Sequence, residues 1–191
     1  MAGRRKREDT PLAELLEKVR AGDKAAFEEM ARRLTERIYP MALRALASRE
    51  AAEEVTQDAL VRIYTRIDQV QDPKALEGWA MRVAFSRIND RFRGRKRFRK
   101  AQAGLTELKK LNGQDEGLSA LEREELRRAL SEALEAIDEK HREVFLLREV
   151  DGRSHREVAE LLGVPEGTVW SRLSYARKRL REELVRRGVQ P

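Results

Sequence analysis

The sequence contains no cysteine, which excludes disulfide bonds and thiolate metal sites. Its 2 histidines, His141 and His155, have no partners at the spacing of metal ligands, so no zinc or redox centre is expected. No apolar run approaches the roughly 18 residues that a membrane-spanning helix needs, and no apolar stretch follows the charged N-terminus as in a secretion signal. These absences predict a cytoplasmic protein with no cofactor, no metal and no membrane insertion.

Aromatic residues make up only 5% of the 191 residues, and there are only 11 glycines and 5 prolines. Such a composition favours helices over sheets and their turns. Charged residues are abundant at 39%, and lysine and arginine exceed the acidic residues to give a net charge of +7. Because cationic side chains release counterions when they neutralise phosphates, the excess favours a nucleic-acid partner. The composition therefore predicts an all-α protein that binds nucleic acid.

Residues 154–180 have the pattern of a helix-turn-helix. An apolar stripe that includes Val158 and Leu161 predicts a first short helix, which Gly163 ends by adopting a left-handed conformation. Pro165 suits the start of the next helix. In that second helix, apolar residues recur at intervals of three and four: Val169, Leu173, Ala176, Leu180 and Leu184. The opposite face is rich in arginine, which fits a helix that enters the major groove.

The N-terminal half predicts four helices. Pro40 is expected to break or kink the second helix, the third covers about residues 49–67, and the fourth covers about residues 73–93. The fourth helix leads into a basic run over residues 91–100, in which 7 of 10 residues are lysine or arginine. Turn signals at Asn112-Gly113 and Gly117 then predict a flexible linker over residues 98–117. We therefore expect two small helical domains, at residues 10–97 and 118–187.

The predicted third helix exposes a charged face around Glu54 and Asp58. Such a face is most often only solvated. Carboxylates at this spacing could also hold Mg²⁺, so a nuclease that uses Glu53, Glu54 and Asp58 remains an alternative. The pattern of one helix does not decide between these interpretations.

Both halves resemble one known family. The segment HREVFLLREVDGRSHREVAELLGVPEGTVWSRLSYARKRL is similar to the fourth conserved region of bacterial RNA polymerase sigma factors of the extracytoplasmic-function type. In the first half, GDKAAFEEM at residues 22–30, AEEVTQDALVRIY at residues 52–64 and the helix around Trp79 follow the order and spacing of the second region. The resemblance implies a non-enzymatic subunit that directs core RNA polymerase to the promoters of a stress or envelope response, and a fold made of sigma region 2 and region 4.

The resemblance also implies roles for individual residues. Docking on a coiled coil of the largest polymerase subunit is implied for Glu54, Gln57, Asp58 and Arg62. Contact with the minus-ten element of promoter DNA, including capture of a flipped base, is implied for Trp79, Arg82, Ser86, Asn89, Asp90, Arg93, Arg95, Lys96 and Arg97. Contact with the minus-thirty-five element is implied for Thr168, Trp170, Ser171, Arg172, Ser174, Tyr175 and Lys178.

Some positions depart from the family pattern. Phe85-Ser86 stands where the family often has Arg-Asn, in the region of base capture. Trp170 and Tyr175 stand where lysine or arginine is frequent, so apolar contact with thymine methyl groups replaces phosphate attraction. Such sigma factors are often held inactive by an anti-sigma protein, which makes one a possible partner. The alternative function is a stand-alone helix-turn-helix regulator that binds DNA as a dimer and leaves the Glu54 face unused.

Overall fold

The computed structural model describes residues 10–101 and 120–189, and within these ranges it contains α-helices and no strand. The helices, numbered in chain order, are α1 (Leu12–Arg20), α2 (Lys24–Leu46), α3 (Arg49–Thr65), α4 (Leu76–Ala101), α5 (Ala120–Glu135), α6 (Glu139–Phe145), α7 (His155–Leu162) and α8 (Glu166–Arg186). The prediction of an all-α fold is confirmed. Within the described ranges, none of these helices combines the length and the apolar character that crossing a membrane would require.

Helix α2 runs unbroken through Pro40, so the predicted interruption is wrong. Proline removes one backbone donor and strains the preceding turn, but the cost is local. Here the helix buries Met30, Leu34 and Ile38 before the proline and Met41 directly after it. Burial of this continuous apolar face on both sides of Pro40 explains why the helix continues.

Helix α4 extends to Ala101, which places residues 98–101 in a helix rather than in the predicted linker. Arginine and lysine are good helix formers, and the basic run lacks the glycine pairs or prolines that end helices. The rest of the predicted linker, residues 102–117, lies outside the described residues.

The second half confirms the helix-turn-helix. The Ser154 hydroxyl accepts a hydrogen bond from the Glu157 N–H at 3.2 Å, and the Glu157 carboxylate accepts one from the Ser154 N–H at 2.7 Å, which together start α7. Gly163 ends α7 with φ of 66°, a left-handed conformation that costs glycine little. Pro165 then precedes α8. Before this motif, α6 continues as a π-helical turn over Leu146–Val150.

The two halves pack on each other and share one apolar core. Helix α2 contacts α5, and α4 contacts α7. The helices approach closely at Gly78 of α4, where an added Cβ would lie 3.2 Å from the backbone oxygen of Leu161. The division into domains at residues 97 and 118 stays a prediction, since the core residues on both sides of it are in contact.

Candidate polymerase and promoter interfaces

The outer face of α3 carries the four residues predicted to dock on polymerase. Glu54, Gln57 and Asp58 are exposed, and Arg62 is half-buried. They share one face because the opposite side of the helix buries Val55, Ala59 and Ile63. Glu54 forms an ion pair with Arg91 of α4, which ties this face to the basic end of α4.

Two apolar side chains lie on the same face and were missed by the sequence analysis. Val61 is 55% exposed and Tyr64 is 56% exposed. Both lie one or two turns from Gln57 and Asp58, and Tyr64 packs edge-on against Phe27 at 4.7 Å between ring centroids. Val61 follows Asp58 by three residues and Gln57 by four, and Tyr64 follows Gln57 by seven. This spacing places them on one helix face and could have been recognised in the sequence. The face therefore mixes charge with exposed apolar area, which is typical of the surfaces that bind other proteins.

The residues predicted to contact the minus-ten element all lie on α4, at different depths. Arg82, Ser86, Arg93, Lys96 and Arg97 are exposed; Trp79, Asp90 and Arg95 are half-buried. Asn89 is only 4% exposed. In the arrangement described here, the Asn89 amide is therefore not accessible to DNA, and its predicted DNA contact stays untested.

Several of these side chains contact acceptors in the other half of the molecule. Arg82 donates to the Leu161 backbone oxygen at 2.9 Å. Arg95 donates to the Ser131 hydroxyl at 3.0 Å and also to the backbone oxygen of Leu46 within its own half at 2.6 Å. Arg93 pairs with Glu139 at 2.7 Å. The basic face of α4 is thus held in place by the second half of the chain.

Asn89 accepts a hydrogen bond from Arg142, whose guanidinium is buried at 4% exposure. Arg142 also donates to the backbone oxygens of Leu134 and Ile137, at 2.7 and 2.6 Å, and lies 4.3 Å from the Phe92 ring centroid. Burial lowers the pKa of Arg142 to about 10, so the side chain stays charged at neutral pH. This buried cluster joins α4, the end of α5 and α6.

A shallow cavity of about 250 Å³ lies between α3 and α4. Its lining combines an indole, aliphatic carbon, a hydroxyl, an amide and guanidinium groups, contributed by Arg62, Arg66, Gln69, Trp79, Arg82, Val83, Ser86 and Arg87. The cavity brings together Trp79, Arg82 and Ser86, three residues predicted for the minus-ten element, with Arg62 of the docking face. An aromatic wall with cations at its rim suits an unstacked base and its phosphates.

Helix α8 displays most of the residues predicted for the minus-thirty-five element. Trp170, Ser171, Ser174, Tyr175 and Lys178 are exposed, whereas Thr168 and Arg172 are half-buried. The packed side of the helix explains this, since Val169, Leu173 and Ala176 are buried. The Ser171 hydroxyl donates to the Thr168 backbone oxygen at 3.0 Å, which leaves its lone pairs free to accept.

Both histidines of the chain pack against aromatic residues of α8. His155 stacks on Trp170 with ring centroids 3.8 Å apart and planes 6° apart. His141 lies 4.2 Å from Tyr175 at a tilt of 32°. Burial and the neighbouring Lys140 charge lower the pKa of His141. The sequence analysis missed both pairs, because each joins residues that are far apart in the chain.

Comparison with known proteins decides the family. Residues 30–98 match the family described as sigma-70 region 2, and residues 127–180 match sigma-70 region 4. An RNA polymerase sigma-E factor of Streptomyces coelicolor is 31% identical over 168 residues, which span 88% of this chain and 91% of that protein. The chain belongs to the extracytoplasmic-function sigma factors. It directs core RNA polymerase to promoters and has no enzymatic activity of its own.

Other relatives of this sigma factor agree in length and fold. The ECF RNA polymerase sigma factor SigW of Bacillus subtilis is 28% identical over 176 residues, covering 88% of this chain and 94% of that protein. Two solved structures are similar: CnrH in complex with the cytosolic domain of CnrY, with a TM-score of 0.62, and the sigma factor RpoE of Bartonella quintana in complex with the anti-sigma factor NepR, with a TM-score of 0.55. Each is 22% identical; they cover 93% and 83% of this chain, and 99% and 96% of their own. They share its fold.

The described residues offer no cluster of three or more histidine, aspartate or glutamate side chains that could hold a metal ion. Glu54, one of the carboxylates considered for a Mg²⁺ site, is paired with Arg91 instead. The nuclease alternative is set aside because the chain is a sigma factor.

Proposed function

We propose that this sigma factor uses three surfaces to start transcription. The docking face of α3, made by Glu54, Gln57, Asp58 and Arg62, binds the coiled coil of the largest polymerase subunit. The cavity and basic face of α4 bind the minus-ten element, and α8 binds the minus-thirty-five element. Residues 10–97 then act as region 2 and residues 118–187 as region 4, with residues 98–117 linking them.

The observation that carries this proposal is that α3 and α8 expose faces of different chemical composition. The α3 face combines Gln57 and Asp58 with the exposed side chains of Val61 and Tyr64. Exposed aromatic and aliphatic area beside an acidic group suits a protein partner and repels a phosphate backbone. A stand-alone DNA-binding regulator has no use for such a face.

The cavity between α3 and α4 supports capture of a base from the opened minus-ten element. Stacking of a base on an aromatic side chain contributes about 1–3 kcal/mol. This offsets part of the energy that unstacking of the base costs. Trp79 provides such a ring, and Arg62, Arg66 and Arg82 place positive charge around it. Ser86, where the family often has asparagine, offers a hydroxyl at the same rim.

The exposed part of α8 supports reading of the minus-thirty-five element in the major groove. Side chains near the start of a recognition helix meet base edges, and those further along meet phosphates. The part near the start of α8 carries Trp170, Ser171 and Ser174. Lys178 lies further along the helix. This arrangement assigns base recognition to the side chains near the start of α8, with Arg172 among them, and backbone attraction to the later cation.

Two variants of the full chain test the assignment of surfaces. Asp58→Arg should abolish binding to core polymerase while leaving the melting temperature unchanged, because Asp58 is exposed. Arg172→Ala and Ser171→Ala should leave polymerase binding intact and weaken promoter binding by the holoenzyme, by about 5- to 150-fold for a lost base contact of about 1–3 kcal/mol. Equal polymerase affinity for Asp58→Arg and wild type would contradict the docking assignment.

A pull-down with core polymerase distinguishes the proposed function from the alternative of a stand-alone regulator. Wild-type protein that neither binds core polymerase nor supports run-off transcription from any promoter in a randomised library would refute the proposal. Run-off transcription from such a library would also identify the preferred promoters.

We further infer that an anti-sigma protein restrains this chain in the cytoplasm, and that its promoters serve a stress or envelope response. Two proteins of the same fold were solved with a partner protein, and one of these structures is of a sigma factor with an anti-sigma factor. Contacts between α4 and the second half, such as the bond from Arg82 to Leu161, support a closed state that such a partner could hold. Co-purification of the full chain from its own cells, followed by inhibition of transcription with the captured protein, tests this inference.

A further inference from the structure

The stack of His155 on Trp170 stands out because the indole belongs to the surface assigned to DNA. Trp170 is 57% exposed, yet one face of its ring is covered by the imidazole, with ring centroids 3.8 Å apart and planes 6° apart. Tryptophan is enriched at interfaces, and the open face and edge of this ring lie on the surface predicted to contact DNA.

Both rings are attached to well-fixed backbone. His155 is the first residue of α7, where the reciprocal hydrogen bonds of Ser154 and Glu157 hold the start of the helix. Trp170 directly follows the fully buried Val169 in α8. Because the backbone on both sides is fixed, the stack sets the direction of the indole edge that faces away from the protein.

The chemistry of the indole limits what it can recognise. A neutral ring has no electrostatic attraction to a phosphate like that of lysine or arginine. In the major groove, the apolar feature that a base pair offers is the C5-methyl group of thymine. Trp170 lies in the second turn of α8, in the part of a recognition helix that reaches base edges.

We propose that His155 is a positioning residue that holds the Trp170 indole for contact with a thymine methyl group in the minus-thirty-five element. The inference rests on the proposed function, in which α8 enters the major groove. A freely rotating side chain would lose conformational freedom on binding, at a cost of roughly 2- to 10-fold in affinity. The stack removes most of that freedom before DNA arrives.

Simple packing is the competing explanation for the stack. The Nε2 atom of His155 is buried with no hydrogen-bond partner among the described residues, so the stacked ring, and not a hydrogen bond of the imidazole, holds the indole. A phenylalanine would cover the indole equally well without burying a nitrogen. His155→Phe therefore keeps the stack and removes the imidazole, whereas His155→Ala removes both.

The test uses holoenzyme made from the full chain and a minus-thirty-five duplex selected from a randomised library. Each thymine is replaced in turn by deoxyuridine, which lacks only the methyl group. For wild type, one replacement should weaken binding about fourfold, the value of one buried methyl group. Trp170→Ala and His155→Ala should lose this response, and His155→Phe should keep it.

Each other outcome has a definite meaning. An unchanged deoxyuridine response in His155→Ala, or its loss in His155→Phe, overturns the positioning role. An unchanged response in Trp170→Ala, or no response in wild type, overturns the methyl contact. If His155→Ala melts early, His155→Leu replaces it, since leucine fills the space without a flat ring. A wild-type protein that fails to bind core polymerase would instead refute the proposed function.

Discussion

Arg142 is the side chain whose loss should reveal how firmly the two halves are joined. Its guanidinium is buried and donates to the backbone oxygens of Leu134, Glu135 and Ile137 at 2.7, 3.2 and 2.6 Å. A further hydrogen bond goes to the Asn89 side chain, 53 positions earlier in the sequence. The substitution Arg142→Met keeps an unbranched apolar stem, which is shorter than arginine, and removes all of these bonds.

The expected size of the effect follows from what is left unpaired. The acceptors left behind are neutral, and a buried acceptor without a partner costs about 1–3 kcal/mol, so loss of the donor from several of them costs about 3 kcal/mol or more. The Leu134 oxygen still accepts the Ile137 N–H at 3.2 Å, so the lower limit of about 3 kcal/mol is appropriate. For a chain of this size, each kcal/mol lowers the melting temperature by about 2–4 °C. Arg142→Met should therefore melt about 6–12 °C below wild type.

Thermal melting followed by far-ultraviolet circular dichroism measures this change. Asn89→Ala is the matched control, because it removes one of the hydrogen bonds and should cost about 1 kcal/mol, or about 2–4 °C. In the Arg142→Met background, Asn89→Ala should cost clearly less, which a double-mutant cycle detects. A loss of less than about 2 °C for Arg142→Met would refute the role assigned to the buried cluster.

Three further predictions concern the stability of the two halves. Leu161→Asp should unfold the helix-turn-helix, because Leu161 is only 8% exposed and the new carboxylate would have to be buried; loss of amide dispersion in the second half by nuclear magnetic resonance would show it. Because the pKa of His141 is lowered by burial and by Lys140, the unfolded chain takes up a proton near pH 6.5, whereas the folded chain takes it up only at a lower pH. The free energy of unfolding should then fall as the pH drops below about 6.5 in urea titrations, and less so in His141→Phe. Hydrogen bonds from Arg32 and Arg33 lower the pKa of Glu29 from 4.5 to about 2, so these pairs stabilise the fold above pH 4.5 and lose that effect as the pH falls toward 2. Glu29→Gln should accordingly be less stable than wild type at about pH 6, and equal stability of the two proteins there would contradict the prediction.

Local features of the fold were predictable from the sequence. Gly163 marks the end of α7 because a left-handed residue is needed there, and the apolar spacing from Val169 to Leu180 defines the packed side of α8. These signals act over one or two helical turns. They sufficed for the helix-turn-helix and for the exposed residues on it.

Features that depend on distant partners were not predictable in this way. Nothing near Asn89 indicates that Arg142 will bury it, and nothing near His155 indicates a stack on Trp170. The predicted break at Pro40 was wrong because the apolar face on both sides of the proline outweighs a local penalty. The helix before Phe98 continues to Ala101 because the basic run is compatible with a helix, and the domain boundary itself stays a prediction.

The hydrogen bonds of the α4 arginines also bear on how tightly promoter DNA can be held. Arg82 and Arg95 already donate to neutral oxygens of the protein, and Arg93 already pairs with a carboxylate. A phosphate oxygen is an ionised acceptor and binds a guanidinium more strongly than a carbonyl does. DNA therefore competes with internal acceptors for the same donors. Arg82 exchanges a neutral acceptor for an anion, whereas Arg93 exchanges one anion for another and gains less. The strength of this surface is the difference between two sets of hydrogen bonds and does not follow from the number of its arginines.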